Sequence, residues 1–340
     1  MHIGKLESIT FSIVAAGLFL AGLLLLTGTQ VARADPGDPL FVSATGSGSD
    51  CSQATPCALQ TALGLANDGD TIRVSQGVYS ATVKITKSLT LEGGWNGNFT
   101  ARDWDTYVTT IDAHRNGSVI QVHGHVTTTI EGFVITGGDG SDYLGWGGGI
   151  EAYGNVTAGK VVVTITHNVI SDNIACHSSG CQGEGGGIRV GIGTAFIAYN
   201  TVVSNVANTS SGNGGQGGGV MIGWSGEATL TGNTILSNTA AYTLTGYARG
   251  QGGGVYVYSA DGILRDNEIR GNVAAVDGAG RGGGVYAGGA LYNNRILSNT
   301  ATISGTGHGG GVYALYVTNF DDNTIQGNVR GEFAEGKGLK

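Results

Sequence analysis

One cassette, returning six times between residues 147 and 328, limits what this chain can fold into more than any other feature. Each copy opens on three glycines and a β-branched residue, as in Gly147-Gly148-Gly149-Ile150, and the same run ends at Ile188, Val220, Val255, Val285 and Val312. Each then carries apolar-x-x-Asn-x-apolar-x-x-Asn. The first asparagines are Asn168, Asn200, Asn233, Asn267, Asn294 and Asn323; the second are Asn173, Asn205, Asn238, Asn272, Asn299 and Asn328. Copies lie 27 to 34 residues apart. Internal spacing this rigid belongs to a solenoid.

Helical repeats would need apolar residues at i, i+3, i+4 and i+7 over ten or more positions. These copies offer short β-branched runs such as Val255-Tyr256-Val257-Tyr258, punctuated by Gly and Asn, which is strand chemistry with frequent turns. Stacked strands repeat about every 4.8 Å, so equivalent residues should form columns. Leu264, Leu291 and Phe320 are one expected interior column, and Ile269, Ile296 and Ile325 another. Asn tolerates the left-handed backbone of a tight corner, and stacked amides can pair along the column. The residues therefore predict an all-β parallel β-helix. A disordered glycine-rich tract is the bland alternative, given 64 glycines in 340 residues, but disorder has no reason to hold two asparagines in register six times. The register reaches back to Ile130-x-x-Phe133-x-Ile135, a seventh coil, and looser alternation starts near residue 70. On this reading Asn267→Leu costs on the order of 1–3 kcal/mol, because corner backbone groups lose a partner.

Residues 1–34 read as a secretory signal: Lys5, an apolar run from Ile9 to Leu26, then Ala32-Arg33-Ala34 before Asp35. An uncleaved anchor is the alternative, because the run is long. No later segment reads as a membrane-spanning helix. Removing the signal takes away Lys5, Arg33 and Glu7, so 17 basic and 25 acidic residues become 15 and 24, a net charge of −9. So acidic a surface argues against nucleic acid and anionic lipid as partners. In an exported chain the close pairs Cys51/Cys57 and Cys176/Cys181 read as two local disulfides. A metal site using His177 beside Cys176 lacks a zinc spacing. Residues 35–69 read as an N-terminal cap, with a short helix starting at Thr55-Pro56 and presenting Leu59, Ala62, Leu63 and Ala66. The β-helix is expected over residues 70–329. A charged, glycine-containing tail follows over 330–340, beginning where Arg330 replaces the Ala of the other five copies.

Several segments resemble the secreted bacterial right-handed parallel β-helix repeat proteins of the pectin-lyase-like superfamily. They are Phe41-Val42-Ser43 through Cys51 and Cys57, Ala66-Asn67-Asp68-Gly69-Asp70-Thr71-Ile72, Lys87 to Gly94, and Thr110-Ile111-Asp112. The Gly-Gly-Val and Phe320-Asp321-Asp322-Asn323 elements are similar to repeats of polymorphic outer-membrane autotransporter adhesins. The resemblance implies a right-handed coil and an exported protein. It does not choose an activity, since such proteins include polysaccharide lyases, glycoside hydrolases, epimerases and adhesins.

The cassette varies at one informative place, the x of Gly-x-Gly-Gly-Gly: Trp146, Glu184, Gln216, Gln251, Arg281 and His308. One changing side chain per coil makes a ladder. Strand alternation points the residue after the β-branched one outward: Glu151, Arg189, Met221, Tyr256, Tyr286 and Tyr313, with Tyr153, Trp224, Tyr258 and Tyr316 farther along. Rings and amides on one long face suit an extended glycan, and Trp146, Gln216, Gln251, Tyr256, Tyr286 and Tyr313 are the expected ligand-binding residues. The competing reading is that stacked tyrosines only cover the sheet. Catalysis would need two carboxylates across a bond, or a base with Arg or Ca²⁺. Glu184 with Arg189, and Arg281 with His308, are the candidate acid–base pairs. Asp172, Asp261, Asp266, Asp321 and Asp322 do not converge, so no metal or cofactor is expected and Ca²⁺ is unsupported. Gly307-His308-Gly309 resembles a polygalacturonase triplet without its acidic partners. The expectation is an exported, non-catalytic surface protein that binds polysaccharide or a cell-surface glycan. A polysaccharide lyase or glycoside hydrolase is the alternative, and a purely structural surface protein a third. The oligomeric state is left open.

Overall fold

The computed structural model describes residues 37–331 apart from 212, 224, 245–248 and 260. The expected signal over residues 1–34, Trp224 and most of the charged tail lie outside them. The chain is a right-handed parallel β-helix in which every strand-to-strand pairing is parallel. One turn of the coil shows the plan. Val255–Val257 lies on a first face, Ile263–Arg265 on a second, Glu268–Arg270 on a third and Val273–Asp277 on a fourth. Ala279–Arg281 then forms an outer strip before the glycines start the next coil. In the last two coils the first and second faces run together as single strands, Val285–Tyr292 and Val312–Asp321.

The predicted columns are present in register. Leu230, Leu264, Leu291 and Phe320 are paired neighbours, as are Ile235, Ile269, Ile296 and Ile325. With Val220, Val255, Val285 and Val312 they fill one continuous core. Between these faces the asparagines form two buried ladders. Asn267 donates from Nδ2 to Leu230 O and to Asn294 Oδ1, both at 2.9 Å. Its own Oδ1 accepts from Asn233 N and Nδ2 at 3.0 and 2.9 Å. Each corner before the last coil is thus satisfied by the coil after it, and the residue before each corner holds φ near +55°, as at Asp266 and Ser298, or slightly higher where it is glycine. Phe133 occupies the corner of the seventh coil and donates its N–H to Asn168 Oδ1 at 3.0 Å.

The glycines are steric necessities. Gly252 adopts φ +64°. A Cβ on Gly254 would lie 2.7 Å from Gly284 O and 3.0 Å from Asn272 Nδ2, and one on Gly250 would overlap the carbonyl of Ala274. The recurrent alanines after the second Asn and the first glycine of each cassette therefore pack backbone to backbone, which pins the outer strip against the fourth face.

At the N-terminal end, helix α1 (Leu59–Leu65) covers the first coil and buries Leu59 and Ala62, followed by buried Ala66. It begins three residues beyond Pro56. Its N-cap is Ala58, which makes no side-chain cap. Lys87 Nζ closes the other end, donating to Ala66 O at 2.6 Å and Gly64 O at 3.1 Å. Leu40–Val42 pairs with Asp70–Ser75, so the cap segment adds a strand to the second face. Both cysteine pairs are disulfides, Cys51–Cys57 and Cys176–Cys181. No helix among the described residues is long and apolar enough to cross a membrane.

Candidate functional site

The outward column of the first face runs in register through Lys84, Gln121, Glu151, Arg189, Met221, Tyr256, Tyr286 and Tyr313. It points away from the core as alternation requires, but the expectation that it meets solvent fails. Glu151 is 0% exposed and Arg189, Met221, Tyr256 and Tyr286 are 4–5% exposed. The cause is the outer strip. Trp146, Glu184, Gln216, Gln251, Arg281 and His308 pair edge to edge from coil to coil. The following glycine then turns at φ between +54° and +68° in every copy. The chain doubles back, and the ladder side chains lie over the outward column. Tyr256 and Tyr286 stack at 4.9 Å, and Tyr286 and Tyr313 at 5.1 Å, in a small second core with Met221. Arg281 closes the stack with its guanidinium 5.1 Å from the Tyr313 ring. Tyr256 and Tyr286 thus have almost no surface to offer a sugar; the solvent-facing positions are the half-buried ladder residues themselves.

Burial pushes the Tyr256 phenol well above its usual value, with the neighbouring Tyr286 adding to the effect, and burial raises Tyr286 in the same direction. Tyr79 is pushed up to about 12, again by burial. These groups stay protonated in the fold at a pH where free tyrosine ionises. They contribute stability that is fully present below pH ~10 and is lost as pH rises through the folded values. In an alkaline titration followed by phenolate absorbance, Tyr256→Phe should leave the change between about pH 10 and 11 unaltered. Loss of one tyrosine's amplitude in that window would mean the column is open to water.

The near end of the ladder holds a charged node. Arg189 Nε lies 2.7 Å from Glu184 Oε2 and its NH1 3.7 Å from Glu151 Oε1, while Glu151 Oε2 meets His123 Nε2 at 2.7 Å. Trp146 covers the guanidinium at 3.9 Å and Tyr153 lies 5.5 Å from it. The sequence pairing of Glu184 with Arg189 is therefore real, and Glu151 and His123 join it. His123 was missed because its strand, Ile120–His123, precedes the first cassette; its register with Tyr153 is visible only once coils are stacked. The guanidinium is hydrogen-bonded to Glu184 but stands 3.7 Å from Glu151, leaving Glu151 Oε1 and Arg189 NH1 buried without a hydrogen-bond partner among the described residues, and Glu151 itself is shut off from solvent. Arg281 and His308 are register neighbours three and four coils farther along and do not join the node.

Beside the ladder lies an open groove of 350 Å³ lined by Gln182, Asn213, Gly214, Gln216, Arg249 and Gln251. Its outer wall is fixed by Asn213 Nδ2 donating to Cys181 O at 2.9 Å, which ties it to the Cys176–Cys181 loop. A second groove, of 390 Å³ on the second face, is lined by Thr194, Glu227, Thr229 and Asp261, with Lys160 paired to Glu227. Both carboxylates lie six residues before the first Asn of their copies, Asn233 and Asn267, an offset that could have linked them from the sequence. His177, Ser141 and Asp139 also meet, but serine and carboxylate share the same ring nitrogen, Nδ1, so no proton relay can run through it. Among the described residues no three His, Cys, Asp or Glu side chains gather as a metal would need.

No family model matches the chain, and no curated protein is similar to it. Among solved structures it is similar to the pectin methylesterase PemA from Erwinia chrysanthemi, at 10% identity over 88% of this chain and 94% of that one, with TM-score 0.40. It is also similar to ORF18 of Geobacillus virus E2, at 9% identity over 97% and 66%, TM-score 0.37. The A-module of the mannuronan C-5 epimerase of Azotobacter vinelandii matches at 17% identity over 88% of each chain, TM-score 0.27. At these scores the likeness assigns neither family nor activity. The β-helix stands on the register of the chain's own strands.

Proposed function

We propose that the protein is an exported, non-catalytic β-helix that holds an extended glycan along the ladder and its neighbouring groove. The observation that carries this reading is the groove lining: the amides of Gln182, Asn213, Gln216 and Gln251 and the exposed guanidinium of Arg249. All are planar hydrogen-bonding groups that match sugar hydroxyls; Gln216, Arg249 and Gln251 stand on strands, and Gln182 and Asn213 on the loops beside them. Five coil-to-coil steps of about 4.8 Å give the ladder a length of ~24 Å, suited to a linear chain. Two disulfides support an extracellular setting. The burial of Glu151 and the pairing of Glu184 with Arg189 support binding without cleavage. Catalysis has its best remaining residues at Glu227 and Asp261 in the second groove.

A glycan array with a parallel reducing-sugar and unsaturated-uronate assay tests the reading. Binding should weaken at least about tenfold, or ~1.4 kcal/mol, in Gln216→Ala/Gln251→Ala, and persist in Tyr256→Phe. No product should appear. Product formation that vanishes in Glu227→Gln would replace the binding protein with an enzyme.

A further inference from the structure

We propose that Ser80, His114 and Asp112 form a second site, at which the protein hydrolyses esters of small acyl groups. The three meet at the end of the third face in the first two coils, away from the ladder. Strand Gly77–Ser80 pairs with Thr109–Asp112, and Ser80 and Asp112 are register partners. His114 follows two residues later at φ +48°, and Arg115 at +64°. They are the only adjacent non-glycine residues in the left-handed region among the described residues. So costly a turn persists only where its surroundings over-determine it. The next coil does so, because Arg115 donates from N to Gly137 O at 2.6 Å and from NH1 to Gly138 O at 2.7 Å. The turn brings the imidazole between its two partners. Ser80 Oγ lies 2.9 Å from His114 Nε2, and Asp112 Oδ2 lies 3.3 Å from Nδ1. Asp112 Oδ1 accepts from His114 N at 2.8 Å, which aims the carboxylate.

This is the wiring that the His177 cluster lacks. Serine and carboxylate stand on opposite ring nitrogens, so a proton held on Nδ1 leaves Nε2 bare to accept from Ser80 Oγ. Donors for a developing negative charge are at hand. Gly77–Ser80 is the end strand of its sheet, and Gly77 N and Ala81 N donate to Val108 O and Asp112 O of its one neighbour. By alternation the N–H groups of Ser80 and Thr82 face the open edge, and neither is hydrogen-bonded among the described residues. Ser80 Oγ attacks the ester carbonyl as His114 Nε2 takes its proton, and the carbonyl oxygen gathers charge against these N–H groups. The imidazolium returns the proton to the departing alcohol, leaving an acyl-serine. Water, deprotonated by the same nitrogen, then releases the acid and restores Ser80. The site is open, with exposed Val78 on the same side of the strand, about 7 Å from Ser80. That is room for a small acyl group on a larger alcohol.

The purified protein should release p-nitrophenolate from p-nitrophenyl acetate. The rate should fall at least about a hundredfold in Ser80→Ala and His114→Ala, without change in the melting curve, and hold in His177→Ala. Asp112 acts through His114 as a positioning residue, so Asp112→Asn should lower kcat and leave KM unchanged. A fluorophosphonate should lose fluoride to Ser80 Oγ, and mass spectrometry should find the phosphonyl group there in the wild type and not in His114→Ala. Release no faster than from the heat-unfolded protein, release that survives Ser80→Ala, or labelling at another serine would each overturn the proposal. Ester hydrolysis yields neither reducing ends nor unsaturated uronate, and glycan binding should survive Ser80→Ala, so the ladder and this site stand or fall separately.

Discussion

Asn267→Leu is expected to destabilise the solenoid by about 2–6 kcal/mol, twice what the sequence alone suggests. Leu has similar size, so the loss is polar. The substitution removes the acceptor of the buried Asn233 N–H and the side-chain donor to Leu230 O. Each stranded group costs about 1–3 kcal/mol. Asn294 Oδ1 keeps the backbone N–H of residue 267 as a partner, which limits the damage on that side. Because each coil touches only its neighbours, the break should divide the solenoid into two less cooperative blocks rather than weaken it evenly. Asn323→Leu in the last coil should cost less, since the Asn294 N–H it strands lies next to a half-exposed position. Thermal melts with amide exchange check both. Equal and small losses would remove the ladders as the source of coil-to-coil order.

Arg189→Ala should cost about 3–5 kcal/mol, the usual result of removing one partner from a buried ion pair. Glu151 is left wholly buried with only His123 beside it, and Glu184 loses its 2.7 Å contact. Trp146 also loses the guanidinium it covers. The sign should reverse in part when the charges go together. Glu151→Gln/Glu184→Gln/Arg189→Met should recover most of the stability, because buried pairs are often matched by uncharged groups of similar volume. If the triple variant were as unstable as Arg189→Ala while keeping its strand content, packing and not charge would be the reason for the node. Glycan binding at the Gln216–Gln251 groove should survive the triple variant, which separates stability from function.

Alternation and spacing carried the fold because a β-helix makes sequence distance and spatial neighbourhood proportional. Leu264 and Leu291 could be placed together from their offsets, and so could Asn267 and Asn294. The direction of Tyr256 and Tyr286 was legible too. What covers them was not. That depends on a reversal at Gly252 and Gly282, where positive φ is free for glycine and invisible in a hydrophobic pattern. The charged node was half legible, as Glu184 with Arg189, because those two share a cassette. His123 lies before the first cassette, so no offset linked it to the node; Glu227 and Asp261 do share an offset, six residues before Asn233 and Asn267, but only these two copies carry a carboxylate there, so the position does not stand out in the repeat. The helix at Leu59–Leu65 was foreseen by its apolar face, though Pro56 gave a start three residues early.

The central claim is that residues far apart in the chain lie directly above one another. Spin labels at Val169 and Arg295, on the outer side of the third face, measure it most directly. Their columns are joined through Thr201, Thr234 and Glu268, four steps in all. Pulsed dipolar spectroscopy should therefore give one narrow distance near ~20 Å. A broad distribution, or a maximum beyond about twice that value, would contradict the coil.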